Sequence, residues 1–239
     1  MSKQVKDSML QRIYLLQELD QTVLLLNSGL AVLQISKPYH RKTFIFLTLL
    51  ASGIERLLKI ILCLHSLQAN GEFLSRGELK RLSHNISQLV DEIKARCFTT
   101  QYVKRPVAQQ DLDFLNTDIV LQEIIKLLSD FARTDRYIFM DGISEPIMSH
   151  EWPDRRWETL EKLSLPEKEY IELLTRFNIE EIAKRANKQL VICLERFLRS
   201  VTRLFVLADL GDEAKSKATA VSSFYMLDDR KLGTIIYNI

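Results

Sequence analysis

Residues 43 to 67, TFIFLTLLASGIERLLKIILCLHSL, are apolar on nearly every side of the helix they would form. A helix with no polar stripe is stable in water only when other helices surround it. A membrane span would need about 20 apolar residues without interruption. Here the run Thr43 to Ile54 is broken at Glu55, Arg56 and Lys59. The stretch from about Arg41 to Leu67 therefore reads as the central helix of a bundle, and no membrane partner is expected. The chain can supply the surrounding helices, because seven glycines and five prolines in 239 residues leave few stop signals.

Apolar residues at helical spacing then place the neighbours. A first helix covers residues 5 to 35, with Leu10, Ile13, Leu16, Leu19, Val23, Leu26 and Leu30 on one face, before Pro38. Asn70 and Gly71 mark a turn. Ser75 and Glu78 have capping-box spacing and start a third helix. It carries Leu79, Leu82, Ile86, Leu89, Val90 and Ile93 and ends near Arg96. Residues 97 to 111 read as a loop, and a fourth helix runs from Asp113 or Asn116 to Ala132. Residues 142 to 154, with Pro146 and Pro153, form a second loop. A short helix follows to Leu163. Ser164 and Glu167 suggest another capping box, and near-continuous helix runs to a stop at Gly211. Asp212 caps a last helix to about Leu227, and the tail KLGTIIYNI is β-prone. Val191, Leu194, Leu198 and Val201 suit either core packing or a dimer seam, and core packing is favoured. The fold class is all-α. Residues 1 to 141 form a helical bundle, and residues 142 to 239 form a loop and a C-terminal helical extension packed on the same core.

Cys63, Cys97 and Cys193 are odd in number, far apart and without metal or disulfide spacing, which points to a reducing compartment. The N-terminus has no uninterrupted apolar segment of signal-peptide type, so a cytoplasmic location is expected. The net charge of +2 neither demands nor opposes a nucleic-acid partner. There is no Gly-rich phosphate loop, CxxC pair, HExxH or GxSxG. No metal and no cofactor are expected. Chemistry, if present, must come from residues on separate helices.

The candidates are few. Glu55 and Lys59, four residues apart, share a helix face and can pair. They form either a solvated bundle edge or the wall of a polar cleft. In RLSHNISQL, His84 lies near Lys80 and Arg81. It reads either as a boundary histidine bonded to a neighbouring helix or as a proton-transfer group active near neutral pH. Lys80 or Arg81 could then hold a phosphate oxygen. In FARTDRY, Arg133, Arg136 and Tyr137 offer a phosphate or nucleotide contact, with Asp135 as a competing neutraliser. In WPDRRWE, Arg155 and Arg156 lie between Trp152 and Trp157. That pattern suits a protein or RNA contact, though such tryptophans more often anchor a loop to the core.

Three of these segments together, GIERLLKIIL, ELKRLSHNISQLVDEI and LLSDFARTDRYIFMD, resemble the HEPN family over roughly residues 5 to 141. The resemblance is to members found near bacterial defence and toxin systems, including abortive-infection types. It implies a helical bundle, frequent homodimerisation and, in active members, a metal-independent ribonuclease. The family's motif is an arginine, four to six residues, then a histidine. This chain departs from it: only Leu82 and Ser83 separate Arg81 from His84, and Arg76 lies too far upstream. Two classes of function stay open. One is a metal-independent endoribonuclease, a toxin-like antiviral defence effector acting on RNA, with His84, Arg81, Glu55 and Lys59 as its site. The other is a non-catalytic helical module that binds a nucleotide or a protein partner from the same system.

Overall fold

The computed structural model describes residues 3–38, 42–145 and 151–238, and all regular structure among them is helical. The two longest elements come first, α1 (Lys3–Gln34) and α2 (Thr43–Asn70). They pack side by side at very close range. A Cβ on Gly29 would stand 2.8 Å from Leu50 Cγ, and one on Gly53 would stand 2.8 Å from Leu26 Cδ2. Each glycine thus makes room for a leucine of the opposite helix. Helix α2 is buried over most of its surface from Phe46 through Leu64, with Thr48 and Arg56 exposed, as its lack of a continuous polar face requires. The stripe of α1 is buried from Leu19 through Leu33. In its first turns Leu15 points inward, and Leu10, Ile13 and Leu16 are exposed rather than core-facing.

The single third helix expected from Ser75 to Arg96 is instead two. Helix α3 (Arg76–Arg81) begins with the Ser75–Glu78 capping box, and α4 (Ile86–Cys97) follows after a break. Residues 97 to 111 are not a loop. They hold α5 (Thr100–Val103), capped by Thr99, and the start of α6 (Pro106–Thr117), which has Pro106 in its first turn. Helix α7 (Ile119–Arg133) buries Leu121, Ile124, Leu128 and Phe131 between α2 and α4. After a single 3-10 turn comes α8 (Ile138–Ser144). Of the second expected loop, residues 146 to 150, including Pro146, lie outside the described residues.

Helix α9 (Pro153–Leu163) plugs Trp157 into the core against Phe46, with ring centroids 4.6 Å apart. Helix α10 (Glu167–Thr175) is not started by a Ser164–Glu167 box. Its N-cap is Pro166, and Ser164 instead donates its hydroxyl to the Glu161 carbonyl of the preceding helix. Helix α11 (Ile179–Thr202) places Val191, Leu194, Leu198 and Val201 in the core, which assigns that pattern to packing within the chain. Short helices α12 (Leu204–Leu207), α13 (Gly211–Lys217) and α14 (Ser222–Tyr225) close the bundle. Gly211 opens α13 with φ +81° rather than ending a long helix. One hydrophobic cluster runs from Leu15 to Phe224, and a smaller one joins Leu165, Leu173, Ile182 and Ala186. The β-prone tail forms no strand among the described residues. It lies between the end of α1, where the Gln34 side chain donates to the Ile235 carbonyl (2.6 Å) and accepts from Tyr237 N–H (3.1 Å), and α11, where Glu195 accepts from Gly233 N–H (2.6 Å) and the Tyr237 hydroxyl (2.9 Å). No helix among the described residues is long and apolar enough to cross a membrane.

Candidate functional site

The break between α3 and α4 makes the site. Leu82 still has helical geometry, but Ser83 turns to φ +52°, a region L-residues enter at a cost. The chain leaves the helix axis at His84 and restarts at Asn85, whose Oδ1 accepts from Gln88 N–H (3.1 Å) as the N-cap of α4. The restart is pinned from the side. Ser129 of α7 donates its hydroxyl to Asn85 Oδ1 (2.9 Å) and accepts from Ser87 N–H (3.3 Å). Ile86, fully buried, anchors the next residue in the core. His84 is thus held between two fixed points.

From there its ring reaches α2. His84 Nδ1 lies 3.0 Å from each carboxylate oxygen of Glu55, and Lys59 Nζ lies 2.8 Å from Oε1 of the same group. A carboxylate can only accept, so His84 Nδ1 carries a proton, and in the neutral ring the lone pair is on Nε2. Glu55 is buried, with its side chain 11% exposed, while the His84 side chain is 56% exposed. A buried carboxylate paired with an ammonium therefore orients an imidazole whose other nitrogen has no partner among the described residues. An oriented histidine of this kind can accept and return a proton. Lys59 also borders a groove of about 550 Å³ between α1, α2 and α3, floored by Ile60, Phe73 and Leu74. Glu55 and Lys59 thus pair as their spacing suggests, with His84 on the same carboxylate.

The other candidates stand apart from this triad. Lys80 and Arg81 are exposed on α3, and Arg81 borders a separate hollow with Glu92 and Arg96. Arg133 pairs with Asp130 on its own helix (3.3 Å). The Arg136 guanidinium sits 6.0 Å from the ring of exposed Tyr137. WPDRRWE divides in two. Trp157 is core, and Arg156 is internal, bonded to Asp130 (2.9 Å) and near Asp135 (3.6 Å). Trp152 and Arg155 remain outside, and Trp152 stacks on Phe139 at 5.6 Å. Asn85 stands beside His84 in the sequence, but its role as a cap, and Ser129 altogether, were missed by sequence reasoning. An Asn three residues before Gln88, the spacing of a capping residue, was the available signal for the first; nothing local marks the second.

The described cysteines are free, and burial pushes the Cys63 thiol up to about 11 and that of Cys97 to about 12, which leaves them unreactive as thiolates. Among the described residues no group of three or more His, Cys, Asp or Glu is disposed to hold a metal ion. Set against models of protein families, curated proteins and solved structures, the chain matches none.

Proposed function

We propose that the chain is a HEPN-like endoribonuclease that cleaves RNA without a metal, as a homodimeric effector of a bacterial defence or toxin-type system. The observation that carries this reading is the His84 imidazole fixed through Nδ1 on the buried Glu55 carboxylate, with the His84 side chain 56% exposed. In the reaction, His84 Nε2 takes the proton of a ribose 2′-OH. The 2′-oxygen bonds to the adjacent phosphorus and the bond to the 5′-oxygen breaks. The imidazolium then returns its proton to the departing 5′-oxygen, leaving a 2′,3′-cyclic phosphate and a 5′-hydroxyl. Lys59, with donors to spare beyond its bond to Glu55, is the cation for the phosphoryl oxygens, and Arg81, three residues before His84, is the next in sequence. The exposed Leu10, Ile13, Tyr14 and Leu24 of α1 offer a face for a second copy.

The test is cleavage of a mixed tRNA and mRNA pool in excess EDTA by the wild type and His84→Ala. Because His84 is largely exposed, the variant keeps its fold, which circular dichroism checks. Cleavage that survives EDTA and falls by about 10²-fold or more in His84→Ala supports the assignment. No cleavage by concentrated wild type across roughly pH 6–8, or equal cleavage by both proteins, removes it.

A second reading, a non-catalytic module for a partner protein or nucleotide, rests on a different observation. Tyr137, Phe139, Met140, Ile143 and Trp152 form an exposed apolar ridge around α8, flanked by Arg133, Arg136 and Arg155. Contiguous exposed apolar surface of this kind marks contact sites. An inactive wild type would shift weight to this ridge.

A further inference from the structure

At the far end of α7 from His84 lies a second polar cleft that the ribonuclease reading does not use. About 16 Å of helix separates Asp118, which caps α7, from Ser129 beside the His84 site, at the usual rise per residue. The cleft encloses about 790 Å³ between α6, α11 and the C-terminal tail. That is within the range of small-molecule sites, about 300–1,000 Å³. Its wall is a row of arginines on one face of α11, Arg196, Arg199 and Arg203.

The three are not equivalent. Arg203 is committed to a carboxylate, with Nη1 2.8 and 3.0 Å from the two oxygens of buried Asp111, which also accepts from Ser200. Arg196 lies flat on Phe114, its guanidinium carbon 4.0 Å from the ring centre, and is only 3.9 Å from Asp118. Its bonding edges are thus positioned but little used. Arg199 is 8% exposed, yet its Nε–H meets no acceptor. Its Nη1 is held by two groups of the tail, the Leu227 carbonyl (3.1 Å) and the Asp229 carboxylate (2.8 Å).

A buried guanidinium with an unmet donor is costly to leave so. The charge that faces it is supplied by an acid largely in solvent, the Asp229 side chain being 85% exposed. The other acids have internal duties. Asp111 holds Arg203, Asp118 caps α7, Asp113 accepts from Gln109, and Asp228 accepts from the backbone N–H of Arg230 and Lys231. Asp229 can leave without orphaning any of them.

We propose that this cleft is a binding site for a small ligand bearing a phosphate or carboxylate group, held by Arg199 and Arg196, and that Asp229 is an internal occupant which the ligand displaces. Both oxyanions suit the planar donor edge of arginine. Entry of the ligand frees the tail at Asp229, so occupancy of the cleft and attachment of the tail exclude each other. The inference stands independently of the ribonuclease reading.

The experiment titrates pyrophosphate and, separately, citrate into the full chain by calorimetry at constant ionic strength, with wild type, Asp229→Asn and Arg196→Gln. In parallel, trypsin cleavage at Arg230 and Lys231 is followed by mass spectrometry with and without each anion. Arg199 itself is left in place, since its loss would leave the tail unanchored. The expected result is saturable binding of at least one anion, about two- to fivefold tighter in Asp229→Asn, as removal of an exposed ion-pair partner allows. Arg196→Gln weakens it, and the bound anion speeds cleavage at Arg230 and Lys231 in the wild type. Pyrophosphate alone identifies a phosphate ligand, and citrate alone a carboxylate. Absence of saturable binding to Asp229→Asn, binding indifferent to Arg196→Gln, or binding that leaves tail cleavage unchanged overturns the proposal.

Discussion

Replacing Glu55 by Gln, Lys59 by Met, and both together measures whether the carboxylate at the centre of the His84 site is held as the geometry requires. In Glu55→Gln the amide oxygen can still accept from Lys59 Nζ, now 2.8 Å from Oε1. What is lost is the charge assistance, the difference between a charged and a neutral hydrogen bond, about 1–1.5 kcal/mol. The bond to His84 adds little, because a ring 56% exposed is easily rehydrated. Lys59→Met is harsher. It leaves a carboxylate only 11% exposed with the imidazole as its remaining partner. Full burial of an unpaired charge costs about 3–5 kcal/mol, and the surviving contact to His84 reduces that to about 2–3 kcal/mol. The double variant has neither charge and costs about 1–2 kcal/mol, less than the sum of the singles. The coupling between the two positions is therefore about 2 kcal/mol. Urea unfolding of the four proteins measures it, and each kcal/mol also moves the melting temperature by about 2–4 °C in a chain of this size. Additivity within about 0.5 kcal/mol would refute the reasoning, because the pair would then not be formed in solution. His84 would lose its oriented partner, and the case for a proton-transfer group would go with it. If the coupling is found, Glu55→Gln should also depress RNA cleavage although the imidazole is intact.

Two further outcomes test the frame around the sites. Burial raises the carboxyl of Glu195 above its ordinary value of 4.5, although Gly233 N–H, the Tyr237 hydroxyl and Arg199 oppose the shift. In the window between that ordinary value and the raised one, the folded chain keeps a proton that the unfolded chain has released. Stability due to Glu195 therefore falls as pH rises through the window and stays lower above it. Glu195→Gln should be the more stable protein at neutral pH and equal to wild type in acid; a pH-independent difference in urea midpoints would contradict this. Gly53→Ala should destabilise by about 1 kcal/mol, because overpacking against Leu26 outweighs the gain in helix propensity. Gly142→Ala, on a helix with nothing within 4 Å of the new methyl, should stabilise by up to about 1 kcal/mol, and thermal melts compare the two.

The sequence shows the all-α class because burial of α2 leaves no other choice, and it shows the start of α3 because Ser75 and Glu78 satisfy each other locally. It hides the break at Ser83. Leu79, Leu82, Ile86, Leu89 and Ile93 keep helical spacing straight through the interruption, although only α4 buries its face against α2 and α3 has Leu79 and Leu82 no more than half-buried. A period in apolar residues reports which face is covered, not whether the backbone is continuous. The stretch from Cys97 to Asp111 fails for the opposite reason. Helices α5 and α6 bury few residues each, so their signals are the Thr99 cap and Pro106 rather than a stripe. At α10, Ser164 had the spacing for a cap, but a closer acceptor on the turn before it took the hydroxyl.

The candidate site was legible in the same uneven way. Glu55 and Lys59 could be paired from their spacing alone, because both lie on one continuous helix. The contact that gives the pair a use, to His84, joins residues 29 positions apart and depends on the break the apolar pattern conceals. In an unbroken helix His84 would share a face with Lys80 and Gln88. The left-handed turn at Ser83 takes it off that face, and the Asn85–Ser129 bond fixes where it goes. The strain at Ser83 is repaid by a capped α4 and a buried Ile86 whether or not His84 does chemistry, so it is not itself evidence of function. The pairing is more telling. A histidine needed only to fill a boundary position would not require a carboxylate brought to 11% exposure and held there by a lysine. Burying that charge costs stability; the Lys59 ammonium offsets part of the cost, and the exposed imidazole offsets little of it.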